Sequence, residues 1–371
     1  MSFWDTLQKP FFVLAPMADV TDAPFRRMIA KYSAHMRADG TAGGPDVFWT
    51  EFVSADGLVR ATEEGKKKLM ADLLYTEAER PIVAQLFTSN PEHMEQAARL
   101  CRDLGFDGVD INMGCPDRGI ERQGCGSAMI KHPGTAKAVI EAAKRGTGGA
   151  IPVSVKTRLG YNVDQLEEWL PHLLSCEPAA VTIHARTRKE MSKVPARWER
   201  IARAVAIRDE KGSSARIIGN GDALSLEDAR KKADETGADG VMLGRAIFGN
   251  PWLFHPTKRL HEHMTLSASS SATHCTSEYG SVTDSSLPRP VSHEAASFEE
   301  VTLQERFAAL IEHTKLFEEL LPHKNFAIMK KHYKAYVNNF EGAHFLRAEL
   351  MEMESAEAIE ERLKSFLKNR A

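Results

Sequence analysis

The sequence predicts a (β/α)₈ TIM barrel followed by a small C-terminal helical domain. Three observations carry this reading. Eight short β-rich runs recur along the first two-thirds of the chain, helical patterns separate most of them, and polar residues gather where the runs end. With 371 residues the chain is long enough for about two domains.

The runs are Phe11–Pro16, Asp46–Phe52, Pro81–Phe87, Gly108–Gly114, Val153–Arg158, Ala180–Arg186, Ala215–Gly221 and Gly240–Arg245. Most are near-continuously apolar, as strands covered on both faces are. Between them, Pro91–Leu104 follows Asn90, a good N-cap, with proline at the first helical position. Ser225–Glu235 opens with serine and carries Asp228 three residues on, close to a capping box. An open doubly wound sheet is the competing architecture. The count of eight, and the lack of a Gly-rich dinucleotide fingerprint after the first strand, favour the barrel.

Residues 1–262 are therefore read as the barrel. Residues 263–297 are rich in Ser and Thr, bury little apolar surface and are expected to be a disordered linker or long loop. Residues 298–371 read as three or four amphipathic helices.

Composition excludes several classes. Hydrophobic residues at 43% and charged residues at 27% rule out a wholly disordered chain. No apolar run approaches the roughly 18 residues of a membrane helix, and the start shows no secretory pattern. Five cysteines without C-x-x-C spacing fit free thiols in a reducing compartment, so a cytoplasmic location and no metal site are expected. A net charge of −3 argues against indiscriminate coating of nucleic acid, but not against a local basic face.

Active-site residues of such barrels lie at the C-terminal ends of the strands. Gly221 and Gly244 fall after the seventh and eighth strands, where this fold commonly holds phosphate. Glycine lets backbone N–H groups approach phosphate oxygens, and Arg245 adds a bidentate donor. Lys156 and His184 end neighbouring strands, where a cation would stabilise charge on an electron-rich ring. A rim ion pair and a satisfied core histidine are their plainer alternatives. Gln85 either hydrogen-bonds a ring edge or satisfies backbone at a strand end. Cys115 sits in Asn-Met-Gly-Cys-Pro just past the fourth strand, in a turn that projects the thiol. At an ordinary thiol pKa of about 8.5 it serves as an acid; an inert buried cysteine is the alternative. In Pro322–Val337, read as one helix, Lys324, Lys330, Lys331 and Lys334 fall within an arc of roughly 120°. They form either a phosphate-binding stripe or a solvated face.

These motifs together resemble the tRNA-dihydrouridine synthases. The carriers are Ala15–Arg26 (APMADVTDAPFR), Thr50–Phe52, Ala84–Leu86, Asp110–Pro116 (DINMGCP), Val155–Gly160, Thr182–Arg188, Asn220–Asp222 and Gly244–Phe254. The ordered set is specific, although Asn-Gly-Asp or Gly-Arg alone is not. The resemblance implies FMN contacting Pro16, Met17 and Gln85, with Lys156 and His184 at its ring. Asn220, Gly221, Asp222, Gly244 and Arg245 would surround its phosphate. NADPH would reduce the flavin, hydride would pass to C6 of uridine, and Cys115 would protonate C5. Asn112, Arg158 and Arg186 would lie near flavin or target base, and Lys324, Lys330, Lys331 and Lys334 would meet tRNA. The protein is expected to be a monomer. Ala34–Pro45 is an insertion relative to the family and is expected near the barrel mouth. Asp117, beside the thiol, is expected to keep Cys115 protonated. A flavin-dependent reductase of a small pyrimidine or enone, and a non-catalytic tRNA-binding protein, are the other readings.

Overall fold

The computed structural model describes residues 2–260 and 298–370. The expected linker 263–297 lies outside the described residues. Eight parallel strands form one sheet: β1 (Phe11–Leu14), β2 (Phe48–Ser54), β3 (Ile82–Phe87), β4 (Gly108–Met113), β5 (Val153–Arg158), β6 (Ala180–His184), β7 (Arg216–Asn220) and β8 (Gly240–Leu243). Each strand pairs with its sequence neighbour from β2 to β8, and β8 pairs with β1, Val13 opposite Met242. The Leu14 N–H donates to the Val47 carbonyl (3.2 Å) and the Asp46 N–H to the Phe12 carbonyl (2.8 Å), which closes β1 onto β2. The sheet is thus a barrel.

Period-two alternation sorts side chains to the two faces. Phe11, Val13 and Ala15 of β1 point inward with Trp49, Val83, Ile218 and Met242. Phe12 and Leu14 point outward into the layer between strands and helices. Trp4, on a short turn at the chain start, packs into the inner cluster with Phe11 and Trp49. The helices start where the caps indicate. Asn90 accepts the N–H groups of Glu92 and His93 at the head of Pro91–Asp103, and Ser225 accepts that of Asp228 at the head of Leu226–Thr236.

The insertion Ala34–Pro45 does not reach the mouth. It forms a small antiparallel hairpin, His35–Met36 with Ala42–Gly43, next to Asp46. The Asp46 carboxylate accepts the Phe12 N–H (2.6 Å), at the N-terminal end of β1. A segment that runs from a helix into the next strand must lie at the end where strands begin, opposite the mouth.

Among the described residues, four α-helices follow the barrel: Leu303–Leu320, Lys330–Tyr336, Ala343–Met351 and Ala356–Lys368. Their core of Phe307, Leu310, Phe317, Tyr333, Tyr336, Leu346 and Leu363 also takes in Met28 and Trp252 from the barrel. Phe25 of the barrel helix Ala23–Tyr32 lies 5.3 and 5.2 Å from the rings of His313 and His332. Gly249, at φ +69°, comes so close that a Cβ would stand 2.1 Å from the Ala335 carbonyl oxygen. The segment Pro322–Val337 is not one helix. It turns at Leu321–Lys324, passes through a 3₁₀ turn at Phe326–Met329 and becomes α-helical at Lys330. The stripe derived from a single continuous helix is therefore broken.

Helix Ala23–Tyr32 is also anchored by a fully buried ion pair. Arg26 Nε meets Glu79 Oε2 at 2.7 Å, with both side chains wholly inaccessible. The remaining donors of Arg26 go to the carbonyls of Thr21 and Leu74, and Glu79 Oε1 accepts from Thr76. Removing one partner strands the other charge in the interior. Glu79→Gln is expected to lose about 3–5 kcal/mol of stability. A urea denaturation midpoint equal to that of the wild type would contradict this account.

Candidate active site

A cavity of about 540 Å³ opens at the C-terminal ends of the strands. Pro16 and Met17 line it from the loop after β1, Lys156 from β5, and His184 and Arg186 from the end of β6. Asn220, Gly221 and Asp222 line it after β7, and Gly244 and Arg245 after β8. Ser192 and Leu224, which the motifs did not single out, complete this wall. Both are loop residues with no chemical signature in sequence.

Gly221 is required where it stands. Its φ is +123°, and a Cβ would lie 2.9 Å from Ala196 Cβ and 3.2 Å from His184 Cδ2. Asn220 donates from Nδ2 to the Met242 carbonyl (2.8 Å), tying β7 to β8. Asp222 works through its neighbours. Its Oδ1 accepts from Arg245 Nη2 (2.6 Å), and its Oδ2 accepts from Arg186 Nη2 and from the Ala196 N–H (2.9 Å). These partners hold its carboxyl below the usual range despite partial burial. An ionised carboxylate repels phosphate, so Asp222 serves to orient the two arginines on the cavity wall.

His184 is neutral. Burial first, and then Arg158, Lys156, Arg186 and Arg245, push it well below its ordinary value. Arg186 Nη1 lies 3.1 Å from His184 Nε2. A guanidinium can only donate, so Nε2 accepts and the proton sits on Nδ1. Lys156 is pushed down to about 8, chiefly by burial and then by Arg158, and stays mostly charged at neutral pH.

Gln85 lies below this cavity rather than on it. It is buried in the barrel interior, where Nε2 donates to Asp110 Oδ2 (2.7 Å) and Oε1 accepts from Asn112 Nδ2 (3.1 Å). Ser154 Oγ donates to the other oxygen of Asp110 (2.6 Å), and burial pushes the Asp110 carboxyl up to about 6. Asn112 Oδ1 in turn accepts the N–H groups of Gly114 (3.1 Å) and Cys115 (2.9 Å). A hydrogen-bonded chain thus runs from the interior to the Cys115 loop. Asp110 was visible only as part of a motif, because its role depends on strands paired across long sequence separations.

Cys115 is held on several sides. Its carbonyl accepts from the Ser127 N–H (3.0 Å) and Oγ (2.9 Å). Its side chain packs against the cluster of Phe87, Ile120 and Cys125. The thiol is pushed up, first by burial. Asp117 acts both ways: its carboxylate raises the thiol pKa and its backbone N–H lowers it. That carboxylate also caps the helix Arg118–Arg122 through Gly119 and Ile120. Cys125, the second thiol of this region, is buried and is pushed up to about 11 by burial. Arg158 is a clasp: its Nε donates to Gly114 O (2.7 Å) and its Nη1 to Met191 O (3.1 Å) and Thr187 O (3.3 Å).

The lysines of the helical part separate into two pairs. Lys324 turns inward, 3.0 Å from Glu51 Oε2 and 2.7 Å from Asp72 Oδ1. Lys331 reaches the Asp19 carbonyl. Both contact the barrel, Lys324 from before the helix break and Lys331 from the helix after it, so neither is a free phosphate contact. Lys330 and Lys334 have no ion pair among the described residues, and Lys334 is exposed. No group of three or more potential ligands that could hold a metal ion occurs among the described residues. No described helix is long and apolar enough to cross a membrane.

The family model "Dihydrouridine synthase (Dus)" matches residues 13–371. A Bacillus subtilis (strain 168) protein named "Probable tRNA-dihydrouridine synthase 2" is 42% identical over 266 residues, 71% of this chain and 77% of the relative. A Staphylococcus epidermidis protein named "Probable tRNA-dihydrouridine synthase" is 34% identical over 368 residues, 98% of this chain and 96% of the relative.

The thiol environment can be read chemically. Among the described cysteines Cys115 is partly exposed while Cys101, Cys125 and Cys176 are buried. Among these four, iodoacetamide is expected to label Cys115 first, with a pH midpoint above the ordinary thiol value of about 8.5. Peptide mass spectrometry across pH 6–11 reads this, and a midpoint below that value would show that the nearby cations outweigh burial.

Proposed function

The chain belongs to the dihydrouridine synthase family, and on that premise we propose an FMN-dependent, NADPH-driven enzyme that reduces the C5–C6 double bond of uridine in tRNA. The observation that carries this reading is a cavity at the strand ends walled by Lys156, Arg186 and Arg245, with the Cys115 thiol, held protonated by burial, within electrostatic reach of Lys156.

The residues present fit a flavin phosphate. Gly221 leaves room where a side chain would collide with Ala196, and Arg186 and Arg245 are held in place by Asp222. Preorganised donors of this kind bind an anion without reorganising for it. Met17 and Pro16 would flank the ring from the β1 loop. Bound there, the flavin supplies the hydride for uridine C6. Cys115 gives its proton to C5, which requires the thiol form that burial maintains. Lys156 offers positive charge to developing negative charge at the same edge. His184, neutral with its proton on Nδ1, donates a hydrogen bond without adding charge.

The uridine must leave its stack to enter the mouth, at a cost of a few kcal/mol. Phosphate contacts from Lys330 and Lys334 help meet that cost.

Purified protein given NADPH and unmodified tRNA is expected to form dihydrouridine. Cys115→Ala is expected to keep its flavin and lose roughly 10²–10⁴ in rate, the usual contribution of a positioned general acid. An undiminished rate would remove Cys115 from that role. Flavin-loaded protein that leaves tRNA unchanged but reduces small enones would move the reading to a small-molecule reductase.

A further inference from the structure

Between the cofactor cavity and the helical domain lies a turn whose shape neither side maintains alone. Met17 lines the cavity, and its carbonyl accepts the N–H groups of Val20 (3.1 Å) and Thr21 (3.0 Å). Thr21 Oγ1 accepts the Met17 N–H (2.9 Å). At the apex stands Asp19, a non-glycine residue at φ +51°. That conformation is unfavourable for an L side chain and persists only when its surroundings impose it.

Two groups grip the Asp19 peptide. Its N–H donates to Glu51 Oε1, and its carbonyl accepts from Lys331 Nζ. Both grips lead to the helical domain. Lys331 belongs to helix Lys330–Tyr336, and the other oxygen of Glu51 takes Lys324 (3.0 Å). Glu51 is only 6% exposed, in the middle of β2, and Lys324 continues to Asp72 (2.7 Å). Glu51 does not line the cavity.

We propose that Glu51, Lys324 and Lys331 are positioning residues that make the β1 turn a shared part of the cofactor cavity and the helical domain. Flavin and tRNA then strengthen each other's binding through that turn. The inference rests on the reading above that the cavity holds a flavin and the helical domain holds tRNA. RNA phosphates at Lys330 and Lys334 bear on the helix that carries Lys331. Whatever fixes that helix fixes the Asp19 carbonyl, and with it Met17. A flavin resting against Met17 favours the same arrangement from the other side. Such coupling is reciprocal by thermodynamic necessity and is commonly about 5- to 150-fold.

The test compares tRNA dissociation constants of flavin-loaded and flavin-free full-length protein, by filter binding without NADPH. Wild type is expected to bind at least about 5-fold more tightly when flavin is present. In Lys331→Met that ratio is expected to fall toward one, and Lys331→Arg is expected to restore it. Loss of a lysine charge weakens tRNA binding in both forms alike, so the ratio cancels that effect. Glu51→Gln is expected to act in the same direction. Should that buried substitution fail to fold, the Lys331 variants still decide the question. A wild-type ratio of one overturns the proposal, as does an unchanged ratio in Lys331→Met, which would mean that flavin and RNA meet directly. Failure of the functional reading would show differently, as wild-type protein that forms no dihydrouridine.

Discussion

The mouth depends on the join between β1 and β2. Eight parallel strands could lie flat, with β1 and β2 at opposite ends of the row. The bonds from Leu14 to Val47 and from Asp46 to Phe12 bring those edges together. Only then does Glu51, in the middle of β2, reach Asp19 after β1. Only then do loops from distant parts of the chain converge on one space. The Asp46 carboxylate reinforces the join at its base, where it takes the Phe12 N–H and an ion pair from Arg37. The inserted hairpin stands beside this join, at the end remote from the chemistry.

Within the mouth, positive charge is placed so that it is not cancelled. Arg158 spends its donors on carbonyls, which satisfy hydrogen bonding but leave its full charge. Arg186 and Arg245 share a single carboxylate, Asp222. Lys156 has no ion pair among the described residues. Beside these cations two groups stay uncharged: Cys115 is held as a thiol and His184 as a neutral imidazole. One cation cluster thus suppresses imidazolium formation and still favours an arriving anion. Its pull on Cys115 is outweighed by burial, so an acid persists within a positive field.

How much of this was legible in sequence follows from what each feature depends on. Strands, helix caps and the rim location of Lys156, His184, Gly221 and Arg245 are local patterns, and they appear where the patterns placed them. The part played by Gln85 was not legible. A polar residue on a strand reads the same whether it faces a ligand or a buried carboxylate, and Asp110 lies 25 residues away in sequence. The direction of Lys324 was hidden for another reason. A helical wheel assumes an unbroken helix, and the 3₁₀ turn at Phe326–Met329 shifts the phase between Lys324 and Lys331. The insertion Ala34–Pro45, expected near the mouth, lies at the opposite end, because strand direction decides the end at which a helix-to-strand segment falls.

The lysines also show why net charge is a poor guide to function here. The chain is slightly acidic, at −3, which argues against indiscriminate coating of nucleic acid and says nothing of a local basic face. Screening confines the field of an exposed charge to about 8–10 Å, so an incoming phosphate senses the local arrangement and not the sum. Carboxylates such as Glu51 and Asp72 contribute to the acidic total while bound to Lys324. Glu312 is likewise taken up by Lys31 and Tyr32 across the same domain boundary. These acids hold the helical domain against the barrel and are not repulsive surface. Lys330 and Lys334 remain outside those pairings, on a helix that the paired lysines fix relative to the mouth.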